Sequence, residues 1–137
     1  MSKDPTTELQ QAYYTLLSDA LAVNVYDEAP ADATYPHVQF GDTTLTDSST
    51  KSDFIDEATF SLSVVDRYAL DSGTRTYINA IVNTIKQTLR DRTDVFDMNN
   101  FDVIYTVVDN DIFRKEFSET YTYWIREIRF RHKIEEK

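Results

Sequence analysis

Between Ala58 and Val64 the chain reads Ala-Thr-Phe-Ser-Leu-Ser-Val, with Phe60, Leu62 and Val64 at even positions and Ser61 and Ser63 between them. Successive strand residues face opposite sides of a sheet, so this run has one apolar face to bury and one polar face. Such a strand, predicted to end near Asp66-Arg67, calls for a covering layer on one side only. Two helix-period segments can supply it. Asp4-Pro5-Thr6-Thr7-Glu8 is a helix start, with an acid to cap free amides, a proline suited to the first position and a carboxylate in the first turn. Leu9, Ala12, Tyr13, Leu16, Leu17 and Ala20 then recur at three- and four-residue steps. Asp71-Ser72-Gly73-Thr74 opens the second segment, in which Ile78, Ile81, Val82, Ile85 and Leu89 mark a buried face ending about Arg90.

The remaining elements follow from turn chemistry. Val23 to Tyr26 is β-prone and short, and a loop over Asp27–Thr34 separates it from Tyr35-Pro36. Pro36 lacks an amide donor, so it belongs at a strand's beginning or on a sheet edge, here the start of a strand over roughly 37–45. The polar run 46–53, Thr-Asp-Ser-Ser-Thr-Lys-Ser-Asp, predicts the tip of a long hairpin. Phe101–Val108 is a fourth strand, Asp109-Asn110-Asp111 a turn, and a final strand runs from about Glu116 to Lys133. There Tyr121, Tyr123 and Ile125 share one parity while Ile128 and Phe130 share the other, which predicts a bulge or a change of buried face near Ile125–Glu127. The order is αβββαββ. The expected fold is α+β, two helices packed on a mostly antiparallel β-sheet, in a single domain spanning 1–137.

A chain of 137 residues can bury roughly 65–70% of its extended surface, enough for one core without metals or disulfides. It has no cysteine, hence no thiol nucleophile, thiolate site or disulfide framework, a composition that suits a reducing cytosol. No basic region followed by an apolar run opens the sequence, and no segment approaches the ~20 apolar residues of a membrane span. The expectation is a soluble protein that is not exported and has no membrane partner. The net charge of −10 is unevenly spread. Residues 1–73 hold thirteen acids against three bases, and residues 74–137 hold eleven of each. An acidic half argues against wrapping DNA, although it suits either a solvated surface or one past which DNA slides.

A search for chemistry leaves little. His37 and His132 lie at strand ends far apart in sequence, the second inside the basic run Arg129-Phe130-Arg131-His132-Lys133. Asp109-Asn110-Asp111 begins like a calcium loop but has Arg114 where a glycine belongs and Thr120 where the closing glutamate belongs. Asp27-Glu28 is half of a carboxylate pair without a nominated partner. No phosphate-binding, nucleophile-elbow or zinc-helix motif is present, and two glycines cannot build a phosphate cradle. No enzyme activity and no cofactor or metal is expected. In the last strand Arg126, Arg129 and Arg131 interleave with Trp124, Ile128 and Phe130. Contact with a neighbouring subunit or partner is the leading reading, ahead of an exposed strand or a nucleic-acid surface.

Taken in order, Val-Tyr-Asp-Glu-Ala-Pro (25–30), Tyr-Pro-His-Val-Gln-Phe-Gly-Asp (35–42), the Thr/Ser/Asp tip with Lys51, the alternating strand 58–67 and the helix 77–89 resemble one family. It is that of the tail completion, or tail terminator, proteins of long-tailed phages with non-contractile tails, with members in phage-like gene transfer particles. The helix at 5–21 extends the similarity over nearly the whole chain; the Ser/Thr-rich hairpin tip departs from the glycine common in members. The resemblance implies a subunit that forms a homo-hexameric ring at the head-proximal end of the tail tube, ends tube polymerisation and docks the head connector. Its partners would be itself, the tail tube protein and the head completion or connector protein, in the virion and, during assembly, in host cytoplasm. DNA would pass through the lumen without specific binding. On this reading Asp27, Glu28, Tyr35, Trp124, Arg126, Arg129 and Arg131 are candidate interface residues. Asp42, Asp47, Lys51 and Asp53 are candidate lumen-facing residues of the hairpin, about residues 40–58. A head-side adaptor or stopper, or a small ligand-binding α+β domain, are the alternatives.

Overall fold

Asp4 starts the first helix: its Oδ1 accepts from the Thr6 amide at 2.8 Å and the Thr6 hydroxyl at 2.6 Å. The protein is described by a computed structural model over residues 4–70, 72–89, 96 and 98–137. Helix α1 spans Thr6–Ala20 and α2 spans Thr76–Leu89. The strands are β1 Asn24–Tyr26, β2 His37–Asp47, β3 Ile55–Ala69, β4 Phe101–Phe117 and β5 Tyr121–Glu136. They form one five-stranded sheet in the order β1-β2-β3-β5-β4, with β1 parallel to β2 and every other pairing antiparallel. The α+β class and the αβββαββ order match the sequence reading. The predicted helix end at Arg90 and the Asp71 of the predicted helix start lie outside the described residues.

Both helices cover one face of the sheet, as the Phe60/Leu62/Val64 alternation requires. Leu9, Tyr13 and Leu17 of α1 and Ile78, Val82, Ile85 and Leu89 of α2 meet Phe60, Leu62 and Val64 of β3 and Ile128, Phe130 and Ile134 of β5. The Tyr13 ring stacks on Phe60 with centroids 4.0 Å apart and planes 11° from parallel. This cluster is the driving term of the fold, since apolar burial contributes about 25 cal/mol per Å².

Two expectations about the last strands are corrected. Asp109-Asn110-Asp111 is no turn: β4 runs on to Phe117, and the chain reverses at Ser118–Thr120, where the Ser118 amide donates to the Tyr121 carbonyl at 2.9 Å. Asn110 and Asp111 pair in the ladder and Asp109 sits at a register shift, while Asp109 and Asp111 bond arginines of β5. Nor does β5 bulge near Ile125–Glu127; its pairing with β3 is unbroken from Tyr121 to Glu135. The register shifts fall in β4, at Val103/Tyr105 and Val108/Asn110. The mixed parity has a simpler cause. Ile125 is buried on the face away from the helices, beside its β3 partner Val65.

Candidate assembly interface

Both histidines are held by neighbours within the subunit. His37 is buried, its Nδ1 2.8 Å from the Thr34 carbonyl and its Nε2 3.1 Å from Gln39 Oε1. His132 lies fully inside the core, hydrogen-bonded through Nε2 to the Tyr13 hydroxyl and through Nδ1 to Thr106 Oγ1 at 2.9 Å. Both His132 nitrogens are thus met in either tautomer, since each partner is a hydroxyl that can donate or accept. Burial pushes the His132 imidazole down to about 3 and the Tyr13 phenol well up. Among the described residues no group of His, Cys, Asp and Glu is arranged to hold a metal, and no helix is long and apolar enough to cross a membrane.

The candidate interface residues fall into separate places. Asp27 and Glu28 are exposed in the loop after β1. Tyr35 is half-buried, with the Arg67 guanidinium 4.5 Å above its ring and 4.3 Å from the Tyr121 ring. Trp124 points into the subunit, edge-on to Phe113 at 5.5 Å and Tyr68 at 5.8 Å. Arg126 is held under α2: its Nε and Nη2 reach the two Asp111 oxygens at 2.8 Å each, and its Nη1 reaches Asn79 at 3.0 Å. Lys86 adds a 2.6 Å bond to Asp111. Hydrogen bonds from Arg126 hold the Asp111 carboxyl down to about 2. Arg129 and Arg131 share Asp109 on the opposite face, at 2.9 and 3.5 Å. These three arginines therefore already carry carboxylates, which removes the row of free cations a phosphate backbone needs.

Residues 41–54, including Asp42, Asp47, Lys51 and Asp53, are all exposed. β1 pairs only with His37–Gln39, so the outer edge of β2 beyond Gln39 has no neighbour within the sheet. Its partner strand β3 stays paired with β5 from Ile55 to Ala69, so β2 beyond Gln39 is an open edge of the sheet itself, continued by the 48–54 tip and carrying exposed apolar Leu45 and Phe54.

The sheet thus has long uncovered edges, on β2 beyond Gln39 and along β4. Residues 11–125 match the family described as tail completion protein gp17. The chain belongs to the tail completion proteins. It is thereby a structural protein of phage-type tails. A chain in the solved virion of a native gene transfer agent particle has the same fold. The two superpose with a TM-score of 0.77 at 18% identity, covering 98% of this chain and 99% of that one. No curated protein sequence matches this tail completion protein.

Sequence reasoning passed over one feature of it. Gly73, Lys115, Phe117, Thr122 and Trp124 line a recess of about 410 Å³ beside the β4–β5 turn. Its signals were sparse but present: one of two glycines and the single tryptophan of the chain meet there.

Proposed function

We propose that this tail completion protein assembles with copies of itself into a hexameric ring at the head-proximal end of a tail tube. There it ends tube polymerisation and offers the face that docks the head connector. The observation that carries this reading is the open β2 edge. The exposed edge strand and tip from Gly41 to Phe54, bearing Leu45 and Phe54 in water, gain from burial against another protein. The unpaired β2 edge and the long β4 edge lie at opposite sides of the sheet, so a contact between them is heterologous and repeats into a ring. Family membership supplies the tail as the setting. In that ring Asp42, Asp47 and Asp53 face the channel with Lys51, and like charge lets DNA pass without adhering.

The test is mass measurement and electron microscopy of the purified chain, alone and with its tail tube protein. Six-membered rings that cap tube ends are expected. A chain that stays monomeric at every concentration and neither binds nor caps tube refutes the reading. Rings that bind only head-side components assign the protein to the neck instead. A ring with the hairpin acids on its outer wall overturns the channel assignment.

A further inference from the structure

The recess beside the β4–β5 turn contains two buried polar atoms with no hydrogen-bond partner, Trp124 Nε1 and Thr122 Oγ1. Their residues are 8% and 3% exposed and stand two apart on one face of β5. Buried donors are normally met, so two unmet in one recess call for a ligand that answers both. An indole N–H can only donate, and a threonine hydroxyl can donate as well, which makes that ligand an acceptor. The subunit does not supply it. Asp66 is the β3 partner of Trp124, but its Oδ1 accepts from the Arg67 amide at 2.8 Å.

The surroundings give the acceptor its charge. The Lys115 ammonium lies 4.4 Å from the centroid of the Trp124 ring and has no carboxylate partner among the described residues. Phe113, edge-on to Trp124 at 5.5 Å, carries a second cation, the Arg75 guanidinium, 4.2 Å from its own centroid. Arg75 likewise has no carboxylate partner among the described residues, and both cations are exposed. A ring face answers a cation only weakly at an exposed site, so both stay available to an anion. Water could accept from the two donors but would leave the cations unanswered. A nucleic-acid backbone needs a longer row of cations than two on a chain of net charge −10. A carboxylate fits every demand: it only accepts, it has two oxygens for two donors, and it is negative.

We propose that the Lys115–Thr122–Trp124 recess is a carboxylate-binding site, which takes an aspartate or glutamate side chain or a chain-terminal carboxylate. Lys115 and Arg75 attract the group. Both donors are buried, so Ser72 and Gly73, which line the same recess, move aside to admit it. Gly73 is the thinnest cover a residue can give. Its φ is +134, and a Cβ there would stand 2.8 Å from Trp124 Nε1, so only a bare α-carbon lies across the indole. With that cover displaced, the two carboxylate oxygens accept from the Trp124 N–H and the Thr122 hydroxyl.

The chain has a single tryptophan, so one indole N–H resonance and one emission band report on the site. N-acetyl-aspartic acid amide is titrated into the full-length chain at constant ionic strength. A saturable downfield shift of the indole proton and a change in emission are expected, both absent with the asparagine analogue. Lys115→Gln, at an exposed position, should weaken binding about tenfold, and so should Thr122→Val. Circular dichroism and urea unfolding check that each variant folds. Equal responses to the two analogues, no response, full affinity in Lys115→Gln, or tighter binding of inorganic phosphate overturns the carboxylate site. The masses of wild type and Lys115→Gln at rising concentration then separate two sources of the group. A self-association midpoint raised about tenfold by the substitution makes the source a second copy of this chain. An unchanged midpoint, or no self-association, makes it a different molecule, and the site stands in either case. The titration reads the site alone, so its failure leaves the ring reading intact, and rings that never form leave the site intact.

Discussion

His132 makes the stability of this subunit depend on acid in a way that can be isolated. The imidazole is fully buried between Tyr13 and Thr106, and desolvation of its charged form holds its pKa at about 3 against 6.5 for an ordinary histidine. Between those values the unfolded chain binds a proton that the folded chain refuses. The stability tied to a neutral His132 is therefore complete above pH 6.5 and is lost as the pH falls toward 3. At pH 5 the loss is about 1.5 pH units × 1.36 kcal/mol, or about 2 kcal/mol. At pH 4 it is about 3.4 kcal/mol. A His132→Gln variant keeps a donor and an acceptor for Tyr13 and Thr106 but has nothing to titrate. Urea unfolding at pH 7.5, 5 and 4, with the same buffer ions throughout, measures both chains. Wild type should lose about 2 kcal/mol more than the variant between pH 7.5 and 5. Curves that fall in parallel, within about 0.5 kcal/mol, would show that the core accepts the charge, and the argument from burial would be wrong.

Gly73→Ala should cost about 2–3 kcal/mol in urea unfolding, since it strains a positive φ and drives a Cβ to 2.8 Å from the indole. Trp124 emission should shift in the same variant, and a neutral substitution would mean that the loop moves freely. Asp111→Asn removes the carboxylate shared by Arg126 and Lys86, and with the pair one-fifth to one-quarter exposed the expected loss at pH 7 is about 2 kcal/mol. The Asp111 contribution is present above pH 3.8 and is lost as the pH falls through about 2, so the variant should also lose less stability than wild type between pH 4 and 2.

Much of this fold could be read from local spacing, because the forces that set it are local in sequence. The buried face of α2 is the set Ile78, Val82, Ile85 and Leu89, with Ile81 at its margin, and Phe60, Leu62 and Val64 of β3 face the helices as their spacing requires. What escaped was set by distant partners. Asp109-Asn110-Asp111 carries turn chemistry, but arginines 15 and 20 residues away hold it in a strand. The parity change in β5 reads as a bulge only if one face of the sheet is buried; Val65 and Ile125 bury part of the other. His132 looks like one of four polar residues in a basic run, yet strand alternation turns it inward while Arg131 and Lys133 face away. Trp124 and Arg126 share that inward parity, so Phe113, Tyr68, Asp111 and α2 engage them within the subunit. The recess depends on Ser72–Gly73 crossing β5, a contact between residues about fifty apart that no local pattern announces.

A sheet with two open edges must also avoid assembling wrongly, and β4 shows how this one does. Two register shifts break its ladder, and Asp102, Asp109, Arg114 and Glu116 place charges along its length. Bulges and charges on an edge discourage the addition of a foreign strand, so contact there falls to side chains, which can demand a specific partner. Near the recess the guard consists of Arg114 and Glu116, bonded to each other at 3.3 Å and, through Arg114, to Glu127 at 2.9 Å. Both are about half exposed, so their pairing adds little stability. Their value lies in exclusion. Replacing both with valine should change unfolding by less than about 1 kcal/mol while leaving Ile112, Phe117 and two new valines on one apolar edge. Light scattering and thioflavin fluorescence at rising concentration should then show open-ended association, whereas wild type, on the proposed ring, should reach a bounded mass. A variant that still stops at the wild-type mass would mean that the bulges alone, or geometry elsewhere, keep the edge closed.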